Sequence, residues 1–225
     1  MLLYFELMTI QANVLFSHDR LGRIISVNEP GNSIAPRFFL GCTNNGNVTR
    51  YRYDLPNETI SELKQLVSKH SNYIDLAKIV NILSREQKIN NIWVGPAFMF
   101  SNHLTMPNRV IRITDSNKEL LQCNFPKLLE QLEWRQPCFA IIDKGTAVSI
   151  CCSARSTSSA SEASVETLED FQGKGYGSDV VTAWAIAVQK EQRIPLYSTS
   201  WDNFSSQALA KKLKLINYGT DVHIT

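Results

Sequence analysis

The sequence predicts an α+β fold. Short strand-like runs alternate with Asn-, Gly- and Pro-rich turn clusters. Other stretches repeat apolar residues every three or four positions, the period of a helix buried on one face. Between a strand-like run and a helical one lies a glycine-rich turn, Gln172-Gly-Lys-Gly-Tyr-Gly177. The chain has 225 residues, of which 44% are hydrophobic, enough for one large domain or one domain with an accessory layer.

In chain order, residues 22–27, 37–40 and 49–53 are strand candidates, separated by turn chemistry at Asn28–Gly31 and Asn44–Asn47. A helix is expected over 57–70, with Ile60, Leu63, Leu66 and Val67 on one face and Pro56-Asn57 at its start. A second is expected over 74–85 through Leu76, Ile79, Val80 and Leu83, after a break at Ser71-Asn72. A loop around Ser101–Pro107 marks the expected boundary between an N-terminal α+β accessory region, 1–105, and a second domain, 106–225. There, residues 109–114 read as a strand and 117–135 as helix broken near Pro126. A hairpin follows, 138–142 and 147–152 around Asp143-Lys-Gly145. The Ser- and Ala-rich residues 153–164 read as a mobile hairpin connection. Then come strand residues Ser164–Thr167, the glycine turn, a helix over 177–191, a strand over 195–200, a helix from Trp201-Asp-Asn203 through Leu213, and a last strand.

Several functional classes are disfavoured. The net charge is only +2 and no long basic run exists, which argues against nucleic acid or an anionic membrane as the main partner. No stretch approaches the roughly 18 apolar residues of a membrane span, and the apolar start is brief, interrupted by Glu6 and without a basic lead, so no signal peptide is expected. The cysteines, Cys42, Cys123, Cys138, Cys151 and Cys152, are odd in number and lack zinc spacing. They read as buried free thiols of a reducing cytoplasm. His18, His70, His103 and His223 share no spacing and read as structural or exposed.

The turn carries the chemistry. Glycines let a backbone approach an anion and take positive φ, while free N–H groups and the helix dipole point at that anion. Lys174 precedes Gly175 with no Ser or Thr in register, so this is not a Walker loop. The spacing Gly173, Gly175, Gly177 also fails the dinucleotide fingerprint. What remains is Gln172-x-x-Gly175-x-Gly177. For the six residues alone, a surface turn without a ligand is the alternative.

That pattern resembles the CoA-pyrophosphate loop of the GNAT superfamily of acyl-CoA-dependent N-acyltransferases, over about residues 136–220. Asn203, Ser206 and Leu209 match the family's Asn-x-x-Ala-x-x-Leu helix, while Lys214-Leu215 replace its closing Gly-Phe. Cys152–Arg155, Ser161–Ala163 and the run from Leu196 to Asn203 look like an uncharacterised bacterial subgroup. A weaker likeness extends into the first half through Gly22-Arg, Asn28–Pro30, Ala35–Leu40 and Gly95-Pro96. The resemblance implies a mixed, mostly antiparallel central sheet flanked by helices. It implies acetyl transfer from acetyl-CoA (coenzyme A) to an amine acceptor of a small molecule or peptide. A non-catalytic CoA-binding or protein-interaction module is the alternative, and a homodimer is left open.

Residue by residue, the backbone of Gly173, Lys174, Gly175, Tyr176 and Gly177, preceded by Gln172, is expected to hold the pyrophosphate. Val165 and Thr167 would offer main-chain groups to pantetheine, and a strand N–H there could stabilise the oxyanion. Asn203 either reaches the cofactor or caps its helix, and Ser206 is a weaker cofactor contact. Glu162 is the candidate base and Glu166 the second, on the same face of a regular strand; a plain surface glutamate explains Glu162 as readily. The family's usual tyrosine acid falls on Ala210, so Tyr197, Tyr218 or water would have to serve. Trp184 fits the core stripe of its helix, and Trp201 either walls a substrate or packs.

Overall fold

A computed structural model describes residues 2–31, 33–68 and 74–225. His70, the last two residues of the expected 57–70 helix and the Ser71-Asn72 break lie outside the described residues. The chain forms two compact units, Met1–Pro96 with Tyr218–Thr225, and Ala97–Asn217.

The first unit opens with helix α1 (Tyr4–Leu15), where the Glu6 carboxylate accepts from the Leu3 N–H at 2.8 Å. Strands β1 (Phe16–His18) and β2 (Ile24–Val27) pair antiparallel. They are followed by β3 (Phe38–Thr43), β4 (Gly46–Tyr51), α2 (Asn57–Ser68), α3 (Leu76–Ser84) and β5 (Ile92–Met99), which begins in this unit. Neither α1 nor β5 is among the expected elements. In α1 eight of twelve positions are apolar, and the narrow polar stripe of Glu6, Thr9 and Asn13 is blurred by the buried Gln11 and the exposed Phe5, so the helical contrast is weak. In β5 the Gly95-Pro96 pair reads as punctuation rather than strand.

The second unit holds β6 (Ile111–Ile113), a 3₁₀ turn at Lys118–Leu121, α4 (Pro126–Gln131), β7 (Cys138–Asp143), β8 (Thr146–Ser156), β9 (Ala160–Thr167), α5 (Tyr176–Lys190), β10 (Ile194–Ser198) and α6 (Phe204–Lys212). The last strand, β11 (Ile216–Ile224), passes back into the first unit, because its residues Thr220–Ile224 pair with β3. The units therefore divide at Pro96/Ala97 rather than near 105, and the C-terminal residues count with the first.

Within the first unit β3 pairs antiparallel with β4 and β11. Phe38, Leu40, Val222 and Ile224 pack against Leu63 of α2 and Ile79 and Leu83 of α3. Helix α1 packs on β3 and β4, with Met8 pressed so close to Gly41 that no Cβ fits there. Tyr218 is buried in this unit, where its hydroxyl donates to Gln11 Oε1, and the Gln11 amide donates to Asp221 Oδ2 at 2.6 Å.

In the second unit the strand order is β5-β10-β9-β8-β7-β6, antiparallel except for the β9–β10 pair. Helix α5 covers one face through Val180, Val181, Trp184 and Val188, all fully buried against Phe139, Cys151 and Tyr197. Trp184 also donates its indole N–H to Ser153 Oγ at 3.1 Å. The opposite face packs Ile113, Leu121, Phe125, Leu128 and Leu132 on Cys138, Ala140, Ile150 and Cys152. The β7–β8 hairpin turns at Lys144 and Gly145, both with positive φ (45° and 82°), the geometry of the tightest hairpin turn.

Residues 153–164 depart from the sequence expectation. They are strand rather than loose connection, since β8 runs to Ser156 and β9 starts at Ala160. Small Ser and Ala side chains pack here beneath a helix, a use that composition alone does not reveal. Cys138, Cys151 and Cys152 are buried free thiols, and burial pushes Cys152 up to about 11. Cys42 is half-buried and also raised to about 11 by burial, while Cys123, expected inside, is exposed. Among the described residues no helix is long and apolar enough to cross a membrane, and no cluster suits a metal ion.

Candidate functional site

Two neighbouring strands part to make the site. β9 and β10 run parallel and pair at Ile194↔Ala160, Pro195↔Ser161 and Leu196↔Glu162. Beyond that register they stop pairing, although β9 continues to Thr167 and β10 to Ser198. Leu168 donates its N–H to Val148 O at 3.0 Å across the β8–β9 ladder, so the even-numbered residues of this stretch of β9 face β8 with their main-chain groups. Val165 and Thr167 therefore direct theirs away from β8, into the gap. Gln172 Nε2 uses one of these groups, donating to Thr167 O at 3.3 Å.

The chain leaves β9 through a short 3₁₀ turn at Glu169–Phe171 and enters the glycine turn. Gly173 and Gly175 take positive φ, 74° and 81°, which costs an L-residue about 1–2 kcal/mol. Gly175 is the N-cap of α5 and offers no side-chain cap. The first intrahelical bond is Asp179 N–H to Gly175 O at 3.2 Å. The N–H groups of Tyr176, Gly177 and Ser178 thus precede the helical ladder and lie at the positive end of the dipole.

These parts enclose a cavity of about 390 Å³. That is within the usual range for a small-molecule site. Val165 and Thr167, the turn residues Gln172, Gly173, Gly175, Tyr176 and Gly177, and Asn203 and Ser206 all line it. A Cβ on Gly177 would lie 3.4 Å from Thr167 Oγ1, 3.8 Å from Leu209 and 3.9 Å from Val165, so this glycine forms the floor between strand and helix. The turn, the open strand edge and the cavity fit a ligand with an anionic head and a hydrogen-bonding tail.

Lys174 lies off the cavity. Its ammonium sits 4.5 Å from the centre of the Phe171 ring, and the side chain is exposed. The positive charge at the turn comes also from residues that the motif does not contain. A Cβ on Gly175 would meet Lys212 Nζ at 3.3 Å and Arg109 Nη2 at 3.4 Å. Arg109 is held by Asp179 (2.5 Å), by Lys174 O (3.1 Å) and over the Tyr176 ring at 4.5 Å. Leu209 and Lys212 follow from the α6 periodicity that begins at Asn203. Arg109 is distant in sequence and only the fold brings it here.

Asn203 caps α6. Its Oδ1 accepts from Ser206 N–H (3.0 Å) and from Ser205 Oγ (3.0 Å), which is the capping alternative of the sequence reading. Ser206 Oγ lies 2.5 Å from the Tyr197 hydroxyl. Burial pushes the Tyr197 phenol up to about 12, the Ser206 hydrogen bond opposing that rise. Helix α6 ends on Lys214 with φ 52°, the left-handed position a glycine usually fills, and Leu215 N–H closes onto Ala210 O at 3.0 Å.

The two candidate carboxylates stand elsewhere on β9. Ala163 and Val165 pack toward α5, so Glu162, Ser164 and Glu166 face the other side of the sheet. Glu162 is 4% exposed, stands opposite Arg155, and accepts from Ser198 Oγ at 2.7 Å. It sits in the last paired register before the strands part. Its burial removes the surface-glutamate explanation. Glu166 is exposed opposite Ile150. Tyr218 belongs to the first unit and is no part of this cavity. Trp201 is 52% exposed, so it does not pack in the core.

A family model described as GNAT acetyltransferase matches residues 39–219, and the chain belongs to that acyltransferase family. Solved structures agree on the fold. A GCN5-related N-acetyltransferase-like protein of Streptococcus suis superposes with a TM-score of 0.51 at 15% identity, over 85% of each chain. A GNAT-family acetyltransferase of Colwellia psychrerythraea gives 0.50 at 9% identity, over 100% of this chain and 97% of that one. A GNAT-family protein of Novosphingobium aromaticivorans gives 0.52 at 9% identity, over 61% of this chain and 66% of that one, just under two thirds of its length. No curated protein matches the sequence.

Proposed function

We propose that the protein is an N-acetyltransferase that moves an acetyl group from acetyl-CoA to an amine of a small molecule or peptide. One observation carries this reading: an uncapped glycine turn opens α5 beside the free edge of β9, inside a cavity of about 390 Å³. In this reading the backbone N–H groups from Gly173 to Gly177 hold the pyrophosphate, with Lys212, Arg109 and Lys174 adding charge. Val165 and Thr167 pair with the pantetheine amides as an added strand would. Gln172 braces the turn, and Asn203 and Ser206 wall the opposite side.

The acceptor amine must be neutral to attack the thioester carbonyl. Glu162, at the point where the strands part, is the group we assign to take its proton, directly or through water, with exposed Glu166 as the second candidate. A strand N–H near Val165 stabilises the oxyanion. In this proposal the transferase function lies within residues 106–225, and residues 1–105 are accessory. The setting is cytoplasmic, and the assembly is a monomer or homodimer. Ala210 at the usual acid position favours the competing reading of a CoA-binding module without turnover.

Thiol release from acetyl-CoA across a panel of amines tests the proposal. Transfer to at least one amine is expected, and Glu162→Gln should lower its kcat by about 100-fold with KM for acetyl-CoA little changed. Saturable acetyl-CoA binding with no transfer to any amine would contradict it.

A further inference from the structure

The cavity wall contains a hydroxyl, that of Ser206, which is paired with a buried phenol behind it and which the phosphate turn and the strand edge do not use. Tyr197 of β10 is 2% exposed, and its hydroxyl lies 2.5 Å from Ser206 Oγ, on the cavity lining. Ser206 and Ala210 stand one turn apart on one face of α6. A large side chain at 210 would lean back over Ser206, because helical side chains tilt toward the N-terminus. Ala210 is small, 1% exposed, and packs in the same cluster as Tyr197. The phenol from the strand reaches the serine that a larger helix residue would otherwise cover.

Either hydroxyl can donate across this contact, and the arrangement that matters for a ligand is the one in which the phenol donates. A phenol has one proton. Its contacts are Ser206 Oγ at 2.5 Å and Ser206 O at a marginal 3.5 Å. With the phenol donating to Oγ, the serine's own proton is left to point into the cavity. Burial, which raises the Tyr197 pKa, keeps the phenol protonated and able to donate across the neutral range.

The order of residues along α6 fixes where this hydroxyl meets a ligand. Lys212 lies beside Gly175 and Leu209 beside Gly177, so Ser206 is the next residue on that face, further from the turn. A donor with its diphosphate at the turn and its tail along β9 extends its thioester in that direction.

We propose that the Ser206 hydroxyl, oriented by Tyr197, donates a hydrogen bond to the donor's sulfur as it leaves. This rests on the acetyl-CoA reading above. The amine nitrogen forms a bond to the carbonyl carbon and loses a proton to Glu162 or water. The C–S bond then breaks and its electron pair stays on sulfur. Ser206 O–H stabilises that thiolate, which takes its final proton from water on release. Tyr197 acts only through Ser206 and is a positioning residue.

The bound thiol reports this directly and needs no acceptor. Coenzyme A labelled with ¹³C next to sulfur is titrated by NMR, free and bound to the full chain. Bound to the native protein, its thiol should titrate about one unit below the ordinary thiol value of about 8.5. Ser206→Ala should remove most of that depression, Tyr197→Phe part of it, and Ser206→Thr little. Lys212, Arg109 and Lys174 also favour the thiolate and Glu162 opposes it, but all four stay in place in these variants, so the difference isolates the hydroxyl. Melting temperatures close to the native value confirm folded variants. An unchanged thiol pKa in Ser206→Ala that still binds coenzyme A overturns the serine's role and leaves the acetyl-CoA reading standing. No binding to the native protein at millimolar ligand removes both.

Discussion

The two helices that begin at the cavity start in opposite ways. Helix α6 begins with its own cap: Asn203 Oδ1 accepts the Ser206 N–H and ties down the first turn. Helix α5 begins after Gly175 with no side-chain cap, and its first N–H groups precede the helical ladder. Both ends are N-termini with the same dipole and line the same cavity, yet only one is left open to an incoming anion. A capped end is satisfied by the chain itself, whereas the N–H groups of an uncapped glycine end remain able to donate to an anion such as a phosphate.

Changes at the two ends should therefore separate binding from stability. The largest effect is expected at the α5 floor. A leucine at Gly177 would project from a Cβ already in contact with Thr167, Leu209 and Val165, filling the space where the strand edge meets the helix start. Acetyl-CoA affinity, read by calorimetry, should fall by about 100-fold or more, roughly the loss of two good hydrogen bonds to a charged ligand. If affinity survives, the donor does not pass between β9 and α5.

The α6 end should respond in the other sense. Asn203→Ala removes the cap and should lower stability by about 1 kcal/mol, a fall of about 2–4 °C in Tm at this size. Affinity for acetyl-CoA should change little. A large loss of affinity with an unchanged Tm would show that the Asn203 side chain serves the ligand rather than the helix.

The smallest effect lies at the far end of α6. Lys214 holds φ 52° where a glycine is unstrained, so Lys214→Gly should raise stability by about 1 kcal/mol. Thermal unfolding without ligand measures it. A lower Tm would mean that the lysine side chain contributes more than its backbone strain costs.

The same contrast explains what was legible in the sequence. The glycine turn, the alternation of Val165 and Thr167, and the Asn203 start are local signals, and each sits where local rules put it. The pairing of β9 with β10, which decides that Val165 and Thr167 face a gap, depends on a register that ends at Glu162, and no local rule shows where a ladder stops. Arg109 joins the turn from about 65 residues away, as its bond to Lys174 O shows, and a single sequence holds no record of such contacts. Helix α1 and strand β5 escaped because one has only a narrow polar stripe blurred by the buried Gln11 and the other carries Gly-Pro, so the periodic signal was weak. The burial of Glu162 was equally hidden, since a glutamate in a Ser/Ala-rich run looks exposed until the strands are placed.

The central claim is that the open N-terminus of α5 holds the donor's phosphates. Calorimetric titration of the native protein and of Gly175→Glu with acetyl-CoA tests it most directly. A side chain at Gly175 meets both positive φ and the Lys212 and Arg109 cations, and a carboxylate there would occupy the phosphate position. The account predicts micromolar binding to the native protein, a ligand-dependent rise in Tm, and loss of both in the variant. No heat and no thermal shift at millimolar acetyl-CoA, or equal binding by Gly175→Glu, would contradict it.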